Sequence, residues 1–131
     1  MSWASVFAGF VVAHLVGDYL FQTDWQARHK RGGLSGDALA RRALLTHVST
    51  YTLAFLPAFI WIGSELDVAW ALAAAVLVFV PHLLIDDGRM VALYLARVKG
   101  VQELNLSLAA SVDQSFHVLS LFLVALLVGT A

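Results

Sequence analysis

The feature that most constrains this chain is a series of four long apolar stretches, near residues 3–22, 43–63, 68–86 and 108–129. A bilayer's hydrocarbon core takes about 20 helical residues to cross, and each stretch is of that length. In lipid a single spanning segment must be a helix, because a helix satisfies its own backbone donors and acceptors. Composition points the same way. Of 131 residues, 60% are hydrophobic and 13% charged, against roughly 25% charged in an average soluble domain. A soluble globule this small has too little interior to hide so much apolar surface. The expected fold is an all-α, four-helix transmembrane bundle, one domain over 1–131, since the length is too short for two. A net charge of −1 implies no polyanion partner, and a domain with a basic nucleic-acid face is excluded. The absence of cysteine excludes disulfides, thiolate metal sites and cysteine nucleophiles.

Charge in the loops sets the orientation. All eight Lys and Arg residues lie between spans one and two (Arg28, Lys30, Arg31, Arg41, Arg42) or between spans three and four (Arg89, Arg97, Lys99). The middle loop is short and acidic, with Glu65 and Asp67. The positive-inside rule places both basic loops in the cytoplasm, and hence both termini outside. The first span is not expected to be a cleaved signal peptide: it lacks a basic leader and carries His14 and Asp18 where a signal core is apolar. In the first loop, Ser35 or Asp37 is the expected N-cap of the helix entering span two, after a glycine-rich turn. Residues 89–99 alternate bases with Met90, Val91, Leu93, Tyr94 and Leu95, which reads as a short cytoplasmic interfacial helix. A plain continuation of the third helix fits the same pattern.

Ionisable residues inside spans are costly and mark function. Span one carries His14 and Asp18, with Gln22 a turn further; span two carries His47 with Tyr51; span three His82 and Asp86; span four Asp113, Gln114 and His117. Each His–Asp pair is spaced i,i+4, so both members share one helix face. Counting rise along each helix, His14 lies about 17 Å below Trp3 and His47 about 6 Å inside its own helix, which puts all seven groups in the cytoplasmic third. The outer halves, such as 53–62 and 119–128, hold no ionisable residue.

Four histidines and three aspartates at one depth offer only nitrogen and oxygen donors. That set suits a divalent transition metal (zinc, manganese or iron) and not copper(I). The candidate ligands are His14, Asp18, His47, His82, Asp86, Asp113 and His117, enough for two ions, or for one ion with further aspartates orienting the imidazoles. His47 is a ligand or a general base, and Gln22, Tyr51 and Gln114 are candidates to orient substrate. A proton relay and a purely structural polar clasp between helices are the alternatives. A divalent cation offsets the cost of buried carboxylates directly, which favours the metal. Asp24, His29, Asp37, Asp87 and Glu103 are read as solvated loop charges or caps, with Asp24 near enough to line the mouth of the site. Trp25 is read as an interface anchor.

The run from Ala13 to Trp25, with His14, Asp18, Gln22 and Asp24, resembles the N-terminal signature of a family of small bacterial membrane proteins catalogued as domain of unknown function 3307. Further blocks are similar: His47 with Tyr51-Thr52, His82 to Asp86, and Asp113-Gln114 with His117. The resemblance implies a compact four-helix protein of the bacterial inner membrane and leaves its chemistry open. A looser likeness to membrane-bound metal-dependent hydrolases rests on the His-x3-Asp pairs; their other motifs are lacking here. The chain also departs from di-iron carboxylate bundles, which use Glu and Glu-x2-His pairs.

The function expected is a membrane-embedded metalloprotein holding one or two ions, a metal-dependent hydrolase of a lipid or amphiphile at the cytoplasmic leaflet. Arg42 and Arg89 are better read as ordinary positive-inside charges than as head-group ligands. The alternatives are a small proton- or metal-ion-conducting protein, built from several copies because four short helices barely enclose a path, and a non-catalytic accessory subunit. Expected partners are membrane lipids and no nucleic acid. The topology has a direct check: a reporter fused after Ala131 should read as non-cytoplasmic and one inserted at Gly33 as cytoplasmic. The opposite result at either position would undo the depth argument.

Overall fold

A computed structural model describes residues 1–103 and 105–131. These are all-α, with no strand among the described residues. In chain order the helices are α1 (Trp3–Leu15), α2 (Asp24–His29), α3 (Ala38–Ala54), α4 (Leu56–Glu65), α5 (Val68–Asp86), α6 (Arg89–Arg97) and α7 (Leu106–Gly129). Helix α1 packs on α7, α7 on α5, and α5 on both α3 and α4. Trp3–Phe21, Val68–Asp86 and Leu106–Gly129 are each long and apolar enough to cross a membrane, and α3 with α4 makes a fourth if the bent pair is one span. Large apolar side chains such as Val12, Leu20, Leu53, Leu72 and Leu123 point outward, the reverse of what water permits and consistent with a membrane protein.

Two departures from regular helix shape the bundle. The first stretch is not α-helical throughout: after Leu15 it widens into a π-helical turn, Val16–Phe21, before ending at Gln22. Single π turns insert an extra residue and re-aim side chains, and they concentrate at functional sites. This one carries Asp18. The second stretch, expected as one helix, breaks at Phe55 and bends by 49°. Pro57 is the cause, since its ring has no N–H and would collide with the carbonyl four residues back.

At one end the bundle is closed by an apolar cluster that includes Val6, Phe10, Phe55, Ile62, Val78 and Leu121. At the other end lie the basic loops. Asp37 caps α3, accepting from the Leu39 N–H at 3.0 Å, as expected. Helix α6 is a separate element, not a continuation of α5. Gly88, at φ +84°, adopts the left-handed conformation that ends one helix and redirects the next. Its inward face, Val91 and Leu95, packs with Ile85, Ala109 and Val112.

Asp87 corrects the sequence reading. It was expected as a solvated loop charge, yet it is buried. Its Oδ1 accepts from the Leu34 N–H at 2.8 Å, and its carbonyl accepts from the Gly32 N–H at 2.9 Å. Arg89 Nε meets its Oδ2 at 2.5 Å. Asp87 thus ties the loop after α2 to the end of α5, a long-range tie that no local spacing reveals.

Two outcomes follow for thermal unfolding of the purified protein. A Cβ on Gly17 would lie 2.5 Å from the Tyr51 ring and 3.2 Å from the Tyr51 Cα. Gly17→Ala should therefore cost about 1–3 kcal/mol by overpacking, whereas Gly9→Ala, which meets nothing, should cost nothing. Asp87→Ala should cost about 1–3 kcal/mol by removing the charged acceptor of the Leu34 N–H, and Asp87→Asn, which keeps an acceptor, much less. Equal effects of the two Asp87 substitutions would contradict the tie.

Candidate metal centre

Four elements each deliver a side chain to one point inside the basic-loop end of the bundle. The π turn brings Asp18, α3 brings His47, the last turns of α5 bring His82 and Asp86, and α7 brings His117. The centre is a triangle of donor atoms. His47 Nε2 is 2.8 Å from Asp86 Oδ2, His82 Nε2 is 3.1 Å from the same oxygen, and the two imidazole nitrogens are 3.1 Å apart. Asp18 Oδ1 stands 3.3 Å from His47 Nε2 and 3.6 Å from His82 Nε2. His117 Nε2 faces the other oxygen of Asp86 at 3.5 Å.

These separations can be tested against a metal. Nitrogen and oxygen donors about 2.1 Å from one ion stand about 3.0–3.4 Å from one another at octahedral to tetrahedral angles. The triangle and Asp18 Oδ1 fall near that range. Two buried atoms, Asp18 Oδ1 and His117 Nε2, have no hydrogen-bond partner and are aimed into the cluster; His47 Nδ1 and His82 Nδ1 also lack partners. Buried polar atoms are rarely left this way. Asp18, His47 and His82 form one group that could hold an ion, and His82, Asp86 and His117 a second.

The other expected ligands, His14 and Asp113, lie beside this set, 3.5 Å from Asp18 and from His117 respectively. His14 is already saturated: its Nε2–H donates to Gln114 Oε1 at 3.0 Å, so its Nδ1 accepts from the Tyr51 hydroxyl at 3.1 Å. Asp113 takes part through its backbone carbonyl, which accepts from His117 Nδ1 at 2.9 Å. That bond fixes the tautomer and leaves His117 Nε2 with a free lone pair, the arrangement common to histidines that bind metals or act as bases. Tyr51 is buried and stacked on the His82 ring at 3.4 Å, so it sets the angle of that imidazole.

A polar cavity of about 280 Å³ reaches the cluster from the basic-loop end, lined by Asp18, Gln22, Lys30, Asp86, Asp113 and Gln114 among others. Asp24 is not in the cavity: it is exposed and pairs with Arg28 at 2.9 Å. Trp25 is held under the Arg42 guanidinium, 5.9 Å from its ring centre.

Lys30 is the residue the sequence reading missed. It counted only as a loop base, yet its ammonium donates to Asp86 Oδ2 and to Gln22 Oε1, both at 2.8 Å. The signal available was its position, eight residues after Gln22, across a short helix that turns back over the cavity. That helix is fixed by a capping box between Thr23 and Gln26.

No curated protein and no solved structure matches this chain. The family model described as "Protein of unknown function (DUF3307)" matches residues 6–131, a stretch that contains every residue of the cluster and of the cavity, and the chain belongs to that family.

Proposed function

We propose that this protein is a membrane-embedded metalloenzyme that hydrolyses a lipid or amphiphile at the cytoplasmic leaflet of the bacterial inner membrane. In this reading it has four spans with both termini outside, α3 and α4 forming one broken span. The observation that carries the proposal is the triangle of Asp86 Oδ2, His47 Nε2 and His82 Nε2, with the unpartnered Asp18 Oδ1 beside it. Two carboxylates held this close in an apolar bundle need a compensating positive charge, and a divalent cation supplies it with the donor set present.

Asp18, His47, His82 and Asp86 would hold the ion. Both candidate groups draw on His82, which favours one ion per chain over two. The chemistry such an ion would supply is a bound water with its pKa lowered to about 7 and polarisation of the bond to be cleaved. His117 is the general base in this reading. Its Nε2 is free and its Nδ1–H is anchored, whereas the His47 nitrogen that could act is spent in the triangle. His14, through Gln114 and Tyr51, keeps the second row of side chains in place. The apolar cluster at the opposite end supports a site open to one side over a path through the bundle.

Metal analysis of the purified protein should find about one equivalent of zinc, manganese or iron per chain. Asp86→Ala and His82→Ala should lose it. Occupancy should fall as pH drops below about 6, because imidazoles must be neutral to ligate and protons then compete. His117→Ala should keep the metal and lose hydrolysis of membrane lipids, followed by mass spectrometry of the products. A protein free of metal, whose unfolding temperature is unchanged by chelator or by added metal, would reject the metal centre in favour of a proton relay or polar clasp.

A further inference from the structure

The polar cavity shares a wall residue, Gln114, with an apolar groove on the outer face of the bundle. The groove runs between α1 and α7, has a volume of about 500 Å³, and is walled by Phe7, Val118, Leu119 and Phe122. Its end is Gln114, and Gln114 is also a wall of the polar cavity. From Gln114 to Phe122 the helix rises about 12 Å, enough to carry a length of acyl chain away from the cavity into the hydrocarbon. A larger groove along α1 and α4, walled by residues such as Val12, Ala13 and Pro57, has no carboxamide or charged residue in its walls and does not share one with the cavity. Among the described grooves, the α1–α7 groove is the one that shares a wall residue with the cavity.

The charge at the junction selects the head group. The cavity walls carry Asp18, Asp86 and Asp113 against Lys30 and Arg31, which leaves one excess negative charge with the histidines neutral. A divalent ion in the cluster turns that excess into one positive charge. Lys30 is only 14% exposed and reaches Asp86 through its ammonium. Once Asp86 is shared with a cation, that ammonium is free to take an anion instead. An uncharged head group gains nothing from this balance and a zwitterionic one brings its own cation beside its phosphate, whereas a head group with a net negative phosphate gains the full charge, since a lysine ammonium binds phosphate as a point charge.

We infer that the ligand of this site is a phosphate-bearing anionic lipid, its phosphate on Lys30 and its acyl chain in the α1–α7 groove, bound only when the metal is present. The inference rests on the metal centre proposed above and adds the substrate class. Free inorganic phosphate shares the head-group chemistry but not the groove.

The test uses the full chain in nanodiscs of phosphatidylcholine doped with a small fraction of phosphatidic acid or of diacylglycerol. Retained lipid is read by native mass spectrometry after detergent release, and bound metal is read on the same samples. Phosphatidic acid should be retained over diacylglycerol in the metal-loaded protein and lose that preference in chelator, and excess inorganic phosphate should not displace it. Lys30→Met should weaken retention about tenfold, the loss of one charge-assisted hydrogen bond. Leu119→Trp, at an outward-facing position where folding is not at stake, should fill the groove and displace the lipid with the metal still bound. With metal bound, equal retention of the two lipids, or retention unaffected by Leu119→Trp, overturns this inference and leaves the metal centre standing. A protein that binds no metal overturns both.

Discussion

Two carboxylates, Asp18 and Asp86, are buried side by side in a bundle whose outer surface is hydrocarbon-like. A carboxylate in such a setting costs several kcal/mol unless it is paired, so the rest of this end of the molecule is arranged around supplying partners. Asp86 has three of them on one oxygen, His47, His82 and Lys30, while its other oxygen faces His117 Nε2 at 3.5 Å. Tyr51 and Asp113 hold two of those imidazoles in position, one by stacking and one by a backbone carbonyl. Placing so many polar groups in one spot sacrifices stability that apolar packing would supply more cheaply. The apolar cluster at the other end carries the packing instead.

The loops answer to the same demand. Asp86 closes α5, and the next residue, Asp87, is the tie that holds the loop after α2. Consecutive aspartates therefore serve two levels of the structure. One is in the cluster, and the other fixes the segment from which Lys30 reaches into it. Gly88 then turns the chain so that α6 packs on α5 and α7. The short helix α2, with its capping box, brings Lys30 back over Gln22 and Asp86.

Much of this was legible in the sequence because it follows from helical period and apolar length. Val68–Asp86 is helical over the expected residues, and α7 begins only two residues before the expected 108. The i,i+4 spacing of each His–Asp pair set them on one face, and counting rise put them at one depth. Asp18, His47, His82, Asp86 and His117 do meet there. What could not be read has other causes. The π turn at Val16–Phe21 is stabilised by tertiary packing, with Gly17 against Tyr51, and leaves no local signature. The break at Phe55 did have one, Pro57, whose effect an apolar-run reading passes over. Lys30 and Asp87 act over separations of 56 and 53 residues, beyond the reach of any spacing rule. His14 and Asp113 showed the right residue types at the right depth. Residue type and depth do not determine which nitrogen is already hydrogen-bonded: both His14 nitrogens are, to Tyr51 and Gln114, and His117 Nδ1 is, to the Asp113 carbonyl.

Lys30 and a metal ion would make competing claims on one oxygen. Asp86 Oδ2 is the atom nearest to His47 and His82 and also the atom that the ammonium touches. Two cations sharing one carboxylate oxygen repel each other, and at these distances, in a poorly solvated site, the repulsion is large. The ion is held by several fixed donors, the ammonium by a flexible four-carbon stem, so the lysine is the one that yields. Its nearest alternatives lie in the cavity, where Gln22 and any anion can receive it. Filling the centre would therefore change the character of the cavity. An ammonium committed to the protein's own carboxylate would become one that faces the cavity. On the reading proposed above, such a site would present positive charge to a ligand only with the metal in place.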